Sequence, residues 1–237
     1  MNSINARLKL KPIALNIALL LVFLAPVAST AQQLQRGISV QMAGTANATP
    51  IPAADNQDAW IIVLTAEGQL YFGVKPVTPS QLAEEMKATP RHRDQNLYIK
   101  ADARVPFANV VGVLQAAREV QFEAPVLLTA QTVPTSIGTI VPPNGLEVRV
   151  GPSLPVGKVA TVVQLLDSGQ DRPLLRVNGD ETSWSALEVT LRRHFQKGDE
   201  KVILLKADEQ LPFGQVVQVI DTCRATEAKV VVDTPEH

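Results

Sequence analysis

The sequence predicts an α+β (mixed α/β) protein: one apolar N-terminal segment, then two β-β-α-β-α-β domains, each a mixed sheet with two helices on one face. Three observations lead there. A charge-free apolar stretch stands near the start. Apolar residues then alternate between strand and helix periodicity. The whole pattern runs twice, most visibly in Lys-Ala-Asp-x-x-x-Pro-Phe at Lys100–Phe107 and again at Lys206–Phe213.

Arg7, Lys9 and Lys11 form a basic start, residues 1–11, that stays on the cytoplasmic side. No charge follows until Arg36. Residues 12–31 read in two ways. A basic start, a short apolar run and the small residues Ser29 and Ala31 fit a signal segment cut after Ala31. The same stretch is about the 20 residues that a transmembrane helix needs. Both readings send the rest of the chain across the membrane. Residues 32–58 are rich in Gln, Ala, Thr and Pro and read as a tether with one β-like run, Ile38-Ser39-Val40.

The first domain is expected over residues 59–131. Trp60–Leu64 is a buried-strand run, Glu67-Gly68 a turn and Gln69–Phe72 a second strand, so the pair is a hairpin. Thr78-Pro79 supplies an N-cap and a first-position proline to a helix carrying Leu82 and Met86. Asn96–Ala101 is a strand. Pro106 opens a helix with Val110, Val113, Leu114 and Ala117 on one face, and Pro125–Thr129 closes the domain. Residues 132–145 hold three prolines and two glycines and read as a linker.

The second domain is expected over residues 146–237. Lys158–Leu166 and Leu174–Val177 are strands around the turn Asp167-Ser168-Gly169. Thr182-Ser183 caps a helix with Leu187 and Leu191, and Lys201–Ala207 is a strand. Pro212 opens a helix with Val216, Val219, Ile220 and Cys223, and Lys229–Asp233 is the last strand. Aligning Lys100 with Lys206 gives nine identities in nineteen ungapped positions, ending on Arg118 and Arg224. Tandem duplication is the economical account. The βαβ crossovers require parallel pairing and the hairpins antiparallel pairing, hence a mixed sheet.

Composition narrows the function. A net charge of −1 argues against a nucleic-acid binder, and 4% aromatic residues against a base-stacking platform. Cys223 is the one cysteine, so no intramolecular disulfide forms. His92, His194 and His237 lack metal-ligand spacing, and no nucleophile elbow or phosphate-binding loop is present. The sequence gives no basis for a catalytic site, a metal site or a cofactor, and the chain is not expected to be an enzyme. Asp102 and Asp208 precede a helix in both repeats, where a carboxylate accepts bonds from free amides or is presented to a partner. Arg118 and Arg224 fall late in their helices, where a cation is favoured, and are candidates to face a partner.

These features in this order resemble the ExbD/TolR family of biopolymer transport proteins: a basic start, an apolar span ending in Phe-Leu-Ala-Pro, a tether with Ile-x-Val, and a β-β-α-β-α-β domain with Asp before its second helix. The stretches Leu97–Thr129 and Val202–Thr234 carry the likeness most clearly. The resemblance implies an inner-membrane protein with a periplasmic domain, present here twice. It also implies an ExbB/TolQ-type membrane partner, a TonB/TolA-type partner and contact with peptidoglycan. Two fused domains can form an intramolecular pseudo-dimer, or the chain can form a homo-oligomer. One departure concerns the proton-carrying aspartate that the family places early in its span. This chain reads Pro12-Ile13-Ala14-Leu15-Asn16-Ile17 there and has no Asp or Glu before Asp55. Asn16 is the polar residue nearest that position, and an amide does not take up and release a proton. The alternative is a soluble periplasmic tandem binding module, freed by cleavage and holding a protein or peptidoglycan ligand.

Overall fold

The structure is a computed structural model that describes residues 38–90, 95–131, 142–151, 160–195 and 201–234. The apolar segment, residues 12–31, and Asn16 within it lie outside the described residues. Among the described residues no helix is long and apolar enough to cross a membrane.

Repeat 1 begins with the short strands β1 (Gly44–Thr45) and β2 (Thr49–Pro50) and a 3-10 turn, Pro52–Asp55. Then come β3 (Trp60–Leu64), β4 (Leu70–Phe72), β5 (Lys75–Val77), α1 (Pro79–Ala88), β6 (Leu97–Ala101), α2 (Phe107–Glu119) and β7 (Val126–Gln131). Two strands follow closely, β8 (Asn144–Glu147) and β9 (Arg149–Gly151). Repeat 2 continues with β10 (Thr161–Leu166), β11 (Leu174–Val177), β12 (Asp180–Thr182), α3 (Leu187–His194), β13 (Val202–Ala207), α4 (Phe213–Arg224) and β14 (Lys229–Asp233).

The first sheet has the order β2-β8-β7-β6-β3-β4-β5, with β1 also on β7, and the second β12-β11-β10-β13-β14-β9. Both are mixed. β6 lies parallel to β3 and β7, and β13 parallel to β10 and β14, while the hairpin partners run antiparallel. Strand alternation divides each sheet into two faces. Ile62, Leu64, Leu97, Ile99 and Leu127 face the same core as Leu82, Met86, Val110 and Leu114 of the helices. Tyr98, Val126 and Leu128 point the other way, where Ala54 and the partly buried Ile51 and Met42 cover them. Both helices of a repeat therefore sit on one face. A single buried cluster runs through both repeats, including Phe107 and Phe213.

Several local expectations shift. Each hairpin is a three-stranded meander: Gly73-Val74 turns β4 into β5, and Asn178-Gly179 turns β11 into β12. Asn178 (φ 51°) and Gly179 (φ 93°) both take the left-handed backbone that a two-residue hairpin turn demands. Pro106 and Pro212 are N-caps with extended ψ rather than first helical residues, because each also bridges to the other repeat. Thr182 ends β12, and α3 starts only at Leu187 after a turn in which the Ser183 hydroxyl accepts the Ala186 amide at 3.2 Å. Ile38–Val40 form no strand; the leading strand is Gly44–Thr45. Leu146 and Glu147, expected to open the second domain, instead complete the first sheet against Val126 and Leu127.

Candidate functional site

The corners carrying Asp102 and Asp208 meet at the seam between repeats, near the starts of α2 and α4, and the leading segment 38–47 runs from the first corner to Asp221 in the last turn of α4.

The seam comes first because it positions the rest. In each repeat the chain leaves its central strand, turns at the aspartate and enters the second helix. The two turns lie against each other. Phe107 donates its amide to the Leu211 carbonyl at 2.8 Å, and Phe213 donates to Val105 at 2.8 Å. Ala108 donates to Glu209 at 2.9 Å and Gly214 to Ala103 at 2.8 Å. An offset of 106 converts each bond into its counterpart, so the contact is two-fold and self-complementary. A Cβ added at Gly214 would stand 3.0 Å from the Ala103 Cβ, so the seam is tightly packed there.

Asp102 is buried, 1% exposed, and its carboxylate is filled. It accepts the Arg104 Nε at 2.8 Å, the Arg104 guanidinium Nη2 at 2.9 Å, the Arg104 amide at 3.1 Å and the Gln41 amide at 3.0 Å. The Arg104 side chain above all, with the two amides, holds this carboxyl well below the usual range, against the opposing effect of desolvation. The Gln41 carbonyl in turn accepts the Ala103 amide at 2.8 Å. Lys100 donates Nζ to the Ile38 carbonyl at 2.9 Å, and burial lowers its pKa. Lys100, Asp102 and the Ala103 amide thus grip residues 38 and 41 through backbone groups alone. In the chain, residue 38 comes seven residues after Ala31, the last of the apolar stretch.

The grip continues into repeat 2. The Asp221 carboxylate on α4, buried at 8% exposure, accepts the amides of Ala46 (2.9 Å) and Asn47 (2.8 Å). Asn47 returns its Nδ2 to the Asp221 carbonyl at 3.2 Å. Between these points β1 lies parallel to β7, and the Thr45 hydroxyl meets that of Thr129 at 2.7 Å. The segment ahead of repeat 2 is placed in the same manner. β9 runs parallel to β14, and the amides of Val148 and Val150 reach Pro125 and Glu123 of repeat 1. Each leading segment therefore lies between its own last strand and the other repeat.

The second corner has the same residues and different neighbours. Asp208 is exposed, and among the described residues its carboxylate accepts only the Asp167 amide, at 2.7 Å. Lys206 pairs with Asp233 at 3.1 Å. Gln210 stands where repeat 1 has Arg104. The two aspartates are thus not equivalent: one is an internal clamp, the other is open. Arg118 is exposed in the last turn of α2. Arg224 is half-buried and donates to the Ala228 carbonyl at 3.4 Å, serving the end of its own helix.

Asp221 was not marked by sequence reasoning, since a lone helical Asp with no periodic partner carries no signal. The two leading segments did carry one: Gly37-Ile38-Ser39-Val40-Gln41 and Gly145-Leu146-Glu147-Val148-Arg149 share Gly and Val at matching positions. The family model for biopolymer transport protein ExbD/TolR matches twice, over residues 3–132 and 126–234. No curated protein and no solved structure matches.

Proposed function

The chain belongs to the ExbD/TolR family of biopolymer transport proteins, and we propose that it serves as an accessory subunit of an inner-membrane, energised transport complex of the TonB or Tol type. The observation that supports this is the first corner. A subunit anchored through residues 12–31 needs its exported body fixed at a defined point on the tether. Lys100 and Asp102 fix residues 38 and 41, close behind that segment. On this reading the N-terminus is cytoplasmic and both repeats are periplasmic. An ExbB/TolQ-type protein surrounds the apolar segment, and a TonB/TolA-type protein or peptidoglycan meets the periplasmic body. No enzymatic step is assigned.

In this proposal the chain supplies no proton-carrying carboxylate. A relay through the span requires a group that changes charge there, and no Asp or Glu precedes Asp55. Proton transfer then falls to other subunits. The test uses cells holding a cognate ExbB/TolQ-type partner and no other family member. Proton-dependent uptake should be absent, and Asn16→Asp should introduce proton leak. Uptake by the native chain with that partner alone would sink the lost-relay claim.

A second reading is an exported tandem binding module with a cleaved signal segment. The seam favours it, since a body that already pairs its two repeats needs no second anchored copy. The mature N-terminus separates the two. A chain beginning at Gln32 rules out the anchored subunit, and an intact Met1 with carbonate-resistant membrane association rules out the secreted module.

A further inference from the structure

We propose that the second corner, Lys206 to Gln210, is a docking site for an extended peptide bearing Lys or Arg. The first corner shows what these residues do. Lys100 takes the Ile38 carbonyl, Asp102 takes the Gln41 amide, and the Ala103 amide takes the Gln41 carbonyl. All three contacts are to backbone, so the corner recognises a peptide backbone rather than a particular side chain. Repeat 2 keeps every element: Lys206, Asp208 and the amide of Glu209. Among the described residues the Glu209 amide has no acceptor, and no segment lies on this corner. Among the described residues Lys206 contacts the half-buried Asp233 and Asp208 the exposed Asp167 amide, and such surface contacts are readily exchanged.

The charge of the occupant follows from one replacement. In repeat 1, Arg104 neutralises the aspartate from within; in repeat 2 the same position is Gln210. The neighbouring loop adds carboxylates. Asp167 donates its amide to Asp208 and so stands beside the corner, and Asp171 lies in the same loop, its carbonyl accepting Gln215 Nε2 of α4 at 2.9 Å. Asp167, Asp171, Asp208 and Glu209 are all exposed. A cationic strand supplies to Asp208 what Arg104 supplies to Asp102. This inference holds whether the chain is anchored or secreted.

The test uses the full chain in detergent and two labelled ten-residue peptides, one alternating Lys and Val and one alternating Glu and Val. Fluorescence anisotropy should show the Lys-Val peptide binding at least about tenfold more tightly. Asp208→Asn should weaken it by about tenfold or more, the loss expected for a charge-assisted hydrogen bond. Gln210→Arg, which installs the internal cation of repeat 1, should weaken it similarly while leaving the unfolding midpoint unchanged. Hydrogen exchange across residues 206–213 should slow on binding. Equal binding of the two peptides, or indifference to both substitutions, overturns the proposal. So does a Glu209 amide as protected in the free chain as that of Ala103, because the corner would already be filled.

Discussion

Asp102 and Asp208 share a tripeptide, a preceding strand and a following Pro-Phe, yet one is buried under four donors and the other faces solvent. The motif does not decide this. Position 104 is Arg in repeat 1 and position 210 is Gln in repeat 2. The leading segment of repeat 1 passes over its own corner at Ile38 and Gln41 before β1 joins β7. The leading segment of repeat 2 joins its own last strand likewise, β9 on β14, but the residues before it are taken by β7 of repeat 1 as β8. Duplication copied the residues, but position in the chain assigned them different work: repeat 1 holds the way in, repeat 2 keeps its copy exposed.

The seam should be the most costly place to break this arrangement, and the symmetry should hold there. Phe107 and Phe213 are each nearly fully buried. Phe107→Ala and Phe213→Ala should each destabilise by about 3–5 kcal/mol, within error of one another. Urea titrations read by Trp60 in repeat 1 and Trp184 in repeat 2 would test this, and should report one transition for both. Separate transitions would mean that the repeats do not share a core.

The corners should then differ sharply. Asp102→Asn should cost about 2 kcal/mol, from lost charge-assisted bonds to Arg104 and Gln41, while Asp208→Asn should be close to neutral. The acid limb adds a sign. The Asp102 carboxyl is depressed in the folded chain, so its contribution is fully present above the unfolded value near ~4 and is lost as pH falls below that. The gap between the native chain and Asp102→Asn should therefore close in acid. A gap that widens below pH ~4 would contradict the clamp.

Two smaller contrasts sharpen the comparison. Thr129 bonds Thr45, whereas its counterpart Thr234 is buried with no partner for its hydroxyl among the described residues. Thr129→Val should destabilise by about 1–2 kcal/mol and Thr234→Val should be neutral or stabilising by about 1 kcal/mol. Smallest, Cys223 aligns with Ala117, so Cys223→Ala copies repeat 1 and should cost about 1 kcal/mol or less. Burial pushes the Cys223 thiol up to about 12, so iodoacetamide should label it only on unfolding.

Much of this fold is legible in the sequence because periodicity reports local burial. Trp60–Leu64, Leu174–Val177 and Lys229–Asp233 are strands as their apolar runs imply, and Pro79 opens α1 behind Thr78. The third meander strands escape because Lys75–Val77 and Asp180–Thr182 are short, polar edge strands with no apolar alternation. Asn178-Gly179 did mark the second of them, but a hairpin turn signals only when a strand is recognisable on both sides. The site was half legible. The recurrence of Lys-Ala-Asp pointed to both corners. Arg104 against Gln210 is a local difference between the corners, but the other half of it lies in a segment 61 residues away, which no local pattern reveals.

The reciprocal bonds of the seam join peptide groups, not side chains. Substitution at most of these positions leaves the donors and acceptors in place. The two copies were therefore free to drift apart in sequence, and to specialise, without losing their embrace. Drift is restricted where the packing is tight, against Ala103 at Gly214, and where Phe107 and Phe213 fill the shared interior. A gene duplication fixed in this way begins with its two products already assembled, so selection could act on their differences from the outset.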